Sequence, residues 1–141
     1  MKAKRVMIID ALNAYLRAYI VNPSLSLGGV PIGGIKGFFK ILQKLVREIN
    51  PDEILIIWDG PNGSSKRKAI DKNYKAGRKP LRLNRAYANL TAEECSENKK
   101  WQQMRTMEYF NQMPIIQTYV PNIEADDVIA YLTTSLLPKS R

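Results

Sequence analysis

The chain has no histidine and a single cysteine, Cys95, among its 141 residues. The first absence removes Ser-His-Asp and Cys-His catalysis, histidine-ligated zinc and imidazole acid–base chemistry. The second removes any intramolecular disulfide and fits a reducing compartment, with Cys95 an inert thiol. No apolar run approaches the length that spans a bilayer. The basic start is followed by Val6 to Ile9, too short for a signal core and ended by Asp10. The expected location is the cytoplasm, with no membrane partner. Acids are scarce too: 13 Asp and Glu stand against 22 Lys and Arg, for a net charge of +9. Such a surface favours a polyanionic partner, nucleic acid ahead of an anionic membrane. Chemistry must then come from carboxylates, lysines, tyrosines or oxygen-ligated metals.

What is present has the pattern of one α/β domain. Hydrophobic residues make up 45% of the chain, and its length allows a single ordinary core. Three short apolar runs, 5–9 (RVMII), 54–58 (ILIIW) and 115–119 (IIQTY), read as strands. Their apolarity is continuous rather than alternating, as in parallel strands covered on both faces. Ile35, Phe38, Phe39, Leu42, Leu45, Val46 and Ile49 recur at helical spacing and predict a helix over 34–49, ended by Asn50-Pro51. Trp101, Met104, Met107 and Phe110 mark a second helix ending near Pro114. A third is predicted over 126–137, with Val128, Ile129 and Leu132 inward. Alternating strands and helices imply a right-handed, mostly parallel α/β architecture.

The acids fall where such a sheet binds ligands. Asp10 follows the first strand, Asp59 the second, and Glu124, Asp126 and Asp127 the third. Open parallel sheets bind at the carboxyl ends of their strands, so all five carboxylates are expected at one rim. One Asp after a strand is ordinarily a turn former or helix cap; acid at three separate strand ends is a pattern. Crowded carboxylates need a counter-charge, and a hard divalent cation prefers oxygen ligands, which favours Mg²⁺ or Mn²⁺ over zinc. Downstream of Asp59, residues 66–85 carry Lys66, Arg67, Lys68, Lys72, Lys75, Arg78, Lys79, Arg82 and Arg85 around Tyr74, with one acid, Asp71. Basic groups beside a metal site suit a phosphodiester. The glycines at 28, 29, 33 and 34 do not form a Walker A loop, because no Gly-Lys-Ser/Thr follows. A turn feeding a helix whose N-terminus could receive a phosphate is the alternative.

Four segments carry a resemblance. They are Ile8-Ile9-Asp10 with a short helix after it; Gly33-Gly34-Ile35-Lys36-Gly37-Phe38; Trp58-Asp59-Gly60 followed by Lys66-Arg67-Lys68 and Tyr74-Lys75-Ala76-Gly77-Arg78; and Glu124-Ala125-Asp126-Asp127-Val128-Ile129-Ala130. In order and spacing the chain resembles the N-terminal portion of the 5′-to-3′ exonuclease and flap endonuclease family, most of all its phage and bacterial members. The resemblance implies a three-layer, PIN-like α/β fold with a mostly parallel central sheet. It implies metal-site carboxylates at Asp10, Asp59, Glu124 and Asp126, with Asp127 a further acid of the cluster. Lys75 and Arg78 would steer the scissile phosphate, with Lys36, Lys66, Arg67, Lys68, Lys72, Tyr74 and Arg82 on the DNA. The cofactor would be Mg²⁺ or Mn²⁺, two ions in a complete enzyme. The substrate would be DNA with a 5′ end or flap, or an RNA–DNA hybrid.

The family pattern continues beyond the third helix into a strand, a second carboxylate pair and a helix–hairpin–helix region. Residues 128–141 hold no Asp or Glu. The expectation is therefore a nuclease domain over 1–141 with an arch-like basic segment at 64–98, truncated on its C-terminal side. Either a second polypeptide completes it, or it is a fragment without activity. A sheet lacking a flanking strand would also tend to associate through its edge.

Overall fold

The computed structural model describes residues 3–63 and 82–136. The chain divides into two compact units.

The first unit carries the described residues of 1–12, 51–80 and 115–141. Three strands, β1 (Val6–Asp10), β2 (Glu53–Ile57) and β3 (Ile116–Thr118), form one sheet in the order β1-β2-β3, and both pairings are parallel. The chain is α/β, as its apolar runs predict. Register is set at the start of the ladder: Arg5 N–H donates to Asp52 Oδ2 at 2.7 Å, and Asp52 and Glu53 N–H return to Arg5 C=O. Lys4 pairs with Glu53 beside them. Opposed residues of a parallel ladder share a face, and faces alternate with period two. Met7, Ile9 and Ile56 therefore point one way and are buried. Ile8, Leu55 and Ile57 point the other way, against Ala125 and Val128 of a last helix, α4 (Ala125–Tyr131).

The third helix does not run regularly to 136. It loosens into one wide π turn at Leu132–Leu136. Thr133 Oγ1 donates to Ile129 C=O at 3.0 Å, and Thr134 Oγ1 to Ala130 C=O at 2.7 Å. Hydroxyls competing for these carbonyls are a known cause of such distortion.

The second unit carries the described residues of 13–50 and 81–114. It holds α1 (Ala11–Val21) from Asn13 onward, α2 (Gly33–Ile49), a 3₁₀ turn (Arg85–Tyr87) and α3 (Ala92–Phe110). Asn50 ends α2 in the left-handed conformation, φ 49°, with its N–H on Val46 C=O, and Pro51 cannot continue the helix. A capping box starts α3: Thr91 Oγ1 accepts from Glu94 N–H, and Glu94 Oε1 from Thr91 N–H. Helix α3 thus begins nine residues before Trp101, and its inner face is Gln102, Thr106 and Phe110. Of the four residues that mark this helix in the sequence, Phe110 is buried while Trp101 and Met104 are exposed. Phe110 packs edge-on against Phe38 and Phe39 of α2, with ring centroids 5.1 and 5.2 Å apart.

The glycines opening α2 serve packing. A Cβ on Gly33 would meet Asn22 C=O at 1.8 Å, and one on Gly37 would meet Ala18 Cβ at 2.6 Å. The phosphate-receiving alternative for this helix N-terminus is overturned. Gln102 Oε1 already accepts from Gly34 N–H at 2.7 Å and from Ile35 N–H at 3.1 Å. Those donors are occupied by a side chain that is itself fully buried.

Candidate metal centre

The five acids all lie in the first unit, and the strands explain their placement. Asp10 ends β1 opposite Ile57 of β2. Trp58 N–H donates to Thr118 C=O at 2.9 Å, which carries the pairing one residue past β2. By alternation, Asp10 and Asp59 fall on the face that carries Ile8, Leu55 and Ile57, the face under α4. Both are half-buried.

A second set of contacts ties the β2 and β3 exits together. Gly60 N–H donates to Ile123 C=O at 3.0 Å, and Asn122 N–H to Pro61 C=O at 2.9 Å. A Cβ on Gly60 would sit 1.9 Å from Val120 C=O, so only glycine permits this approach. Asn122 takes the left-handed conformation, φ 65°, to make the turn. The glycine after Trp58-Asp59 was the one sign of this clasp in the sequence. Asp59 Oδ1 then accepts the N–H of Ala125 at 2.8 Å. That N–H opens α4, and Glu124 at the N-cap offers it no side-chain bond. Asp59 thus caps α4 from another chain crossing.

Glu124 is buried at 6% exposure, while Asp126 and Asp127 stand exposed in the first turn of α4, where the helix dipole favours negative charge. The rim therefore holds Asp10, Asp59, Glu124, Asp126 and Asp127 on neighbouring backbone segments. Among the described residues, no three acidic side chains stand close enough to share one ion. An all-carboxylate donor set with no histidine suits a hard, oxygen-preferring cation such as Mg²⁺ or Mn²⁺.

The basic residues divide differently. Lys36 is exposed on α2, and Arg82 is exposed ahead of the 3₁₀ turn. Lys66, Arg67, Lys68, Lys72, Tyr74, Lys75 and Arg78 lie outside the described residues. Of the segment 64–98, the part from Ala92 onward belongs to α3. No helix among the described residues is long and apolar enough to cross a membrane.

A parallel sheet with acids at its carboxyl rim is a common ligand-binding frame, and comparison with known proteins narrows the class. Residues 5–140 match the family described as 5′-3′ exonuclease, N-terminal resolvase-like domain. The chain belongs to that family. It is 28% identical over 137 residues to the 5′-3′ exonuclease of Aquifex aeolicus, covering 96% of this chain and 42% of that one. Against the flap endonuclease Xni of Shewanella halifaxensis the identity is 32% over 133 residues, covering 94% and 45%. The chain thus spans under half the length of these relatives. Its fold matches the bacteriophage T5 5′-exonuclease with bound zinc at a TM-score of 0.63 and 20% identity, over 92% of this chain and 44% of that one. A T5 D15 flap endonuclease bound to DNA and metal ions matches at 0.62, also at 20% identity, over 92% and 43%.

Proposed function

We propose that this chain is the N-terminal part of a divalent-metal-dependent 5′-nuclease that hydrolyses phosphodiester bonds of DNA, or of RNA–DNA hybrid, at 5′ ends and flaps. One observation carries the reading: Asp59 shares a sheet face with Asp10 and reaches across to cap the helix that follows Glu124. This supports the reading that acids from three chain crossings serve one rim.

Asp10, Asp59, Glu124 and Asp126 would hold the cation, with Asp127 completing the negative charge. A bound Mg²⁺ or Mn²⁺ would supply Lewis-acid charge and acidify a water molecule, a role no histidine here can fill. Lys75 and Arg78 would lie against the phosphate and offset charge developing on its oxygens. Lys36, Lys66, Arg67, Lys68, Lys72, Tyr74 and Arg82 would bind the nucleic acid around it.

A second reading has its own support: a nucleic-acid-binding part that needs a separately encoded half for catalysis. It is favoured by the lack of three converging acids among the described residues. One assay separates the two. A labelled 5′-flap substrate is incubated with this chain in Mg²⁺, alone and with a candidate second chain. Cleavage by the chain alone, abolished by Asp59→Asn, supports an autonomous nuclease. Cleavage only with the second chain supports the split form. Cleavage at the wild-type rate by the Asp59→Asn protein rules the site out.

A further inference from the structure

Helix α2 carries an unusual stripe. Lys36, Lys40, Lys44 and Arg47 are all exposed. Their spacing sets them within an arc of about 80° over a rise of about 16 Å. Phe38 and Leu42 are buried on the other side of the helix. Glu48 is the sole acid of α2, and among the described residues none of the four cations is in an ion pair. Lys36, Lys40 and Lys44 are like charges four residues apart, an arrangement that weakens a helix. A face needed only for solubility would be better served by alternating signs.

The stripe borders a groove. Close packing of Gly37 on Ala18 brings α1 and α2 together, and a cleft of about 460 Å³ lies beside that contact, lined by Arg17, Ala18, Val21, Gly37, Lys40 and Ile41. Arg17 and Lys40 thus reach the same cleft from the two helices. At the end of α1, Asn84 Nδ2 donates to Tyr19 and Asn22 C=O, both at 3.0 Å, which fixes the stretch carrying the exposed Arg82 and Arg85.

We propose that Lys36, Lys40, Lys44 and Arg47, with Arg17 across the cleft, form a track for one phosphodiester strand of duplex nucleic acid. The proposal rests on the reading that this chain acts on nucleic acid. A rise of about 16 Å is long enough to meet several phosphates of one strand, which carries one charge per about 3.4 Å of duplex axis. The exposed positions of the stripe hold no aromatic residue. Single-strand binding relies on aromatic stacking, so the chemistry selects the regular backbone of a duplex.

The test measures the salt dependence of binding, in EDTA, to a fluorescein-labelled blunt DNA duplex by anisotropy. Lys40→Gln and Lys44→Gln are each expected to lower the slope of log affinity against log salt by about 0.9. Lys100→Gln removes an exposed lysine from α3 and is expected to leave the slope at its wild-type value. Slopes for Lys40→Gln and Lys44→Gln that equal the Lys100→Gln slope overturn the track while leaving the nuclease reading to the flap assay. Wild-type failure to bind any nucleic acid overturns both. A loss confined to single-stranded DNA, or to phosphatidylserine vesicles, overturns the duplex assignment.

Discussion

Asp59 has two separable jobs. Its carboxylate caps α4 through the Ala125 N–H, and it stands among the acids of the rim. Asn keeps an acceptor oxygen and loses the charge; Ala loses both. Asp59→Ala should lower stability to urea by about 1 kcal/mol, in the range for a lost cap, whereas Asp59→Asn should unfold close to wild type. Gln102 is the counterpart in the second unit. It is fully buried, accepts from Gly34 and Ile35 N–H, and donates to Tyr87 Oη and Asn98 Oδ1. Gln102→Leu strands these groups and should cost about 3 kcal/mol or more, read as a lower urea midpoint with unchanged m-value. Burial raises the phenols of Tyr15, Tyr19 and Tyr87 above their ordinary value of 10.0, with neighbouring tyrosines adding to the shift for Tyr15 and Tyr19. An acid whose folded pKa exceeds its unfolded one contributes full stability below the unfolded value and loses it above. Unfolding free energy should therefore fall as pH climbs past about 10, and less steeply in Tyr19→Phe. A wild-type curve that stays level through that window contradicts the burial of these phenols.

Helix α2 depends on a contact with α1 that admits no side chain at Gly37. Gly37→Ala should destabilise by about 1–3 kcal/mol despite the better helix propensity of alanine. Ala18→Gly should recover part of the loss in the double variant; additive effects in a double-mutant cycle would contradict direct contact. These elements also show what the sequence reveals and why. The strands and α2 are legible because continuous β-branched runs and the 35-38-39-42-45-46-49 periodicity each admit one reading. The inner face of α3 is not, because it is built on two polar side chains: Gln102, satisfied by Gly34 and Ile35 far away in sequence, and Thr106, whose hydroxyl donates to Gln102 C=O one turn back. A hydrophobicity pattern cannot register a buried glutamine, so the apolar residues mark the helix without defining its buried face. The sequence does not show that glycines at 33, 34 and 37 serve close contacts. The reason lies in Tyr15, Ala18, Asn22 and Gln102, which meet them only in the folded chain. The acids at the strand ends were legible from topology, since strand order and direction fix where Asp10, Asp59 and Glu124 emerge. How their side chains turn was not.

For the molecule as a whole, two charged features lie in different units. The acids of the rim belong to one unit and the cationic stripe of α2 to the other. The first unit's described sheet has β3 at its edge, with Ile116, Tyr119 and Val120 exposed beside it. Sedimentation velocity should show concentration-dependent self-association, reduced by Ile116→Lys, since a charge on an edge discourages strand pairing. A monomer at all concentrations would contradict that use of the edge. The central claim, that acids from three chain crossings serve one cation, is tested most directly by calorimetric titration of Mn²⁺ into the wild type and three variants. Asp10→Asn and Asp59→Asn should lose the saturable binding of the wild type. Asp52→Asn, at the opposite end of the strands against Arg5 N–H, should keep it. Equal binding by all four proteins, or no saturable binding by the wild type, would contradict the claim.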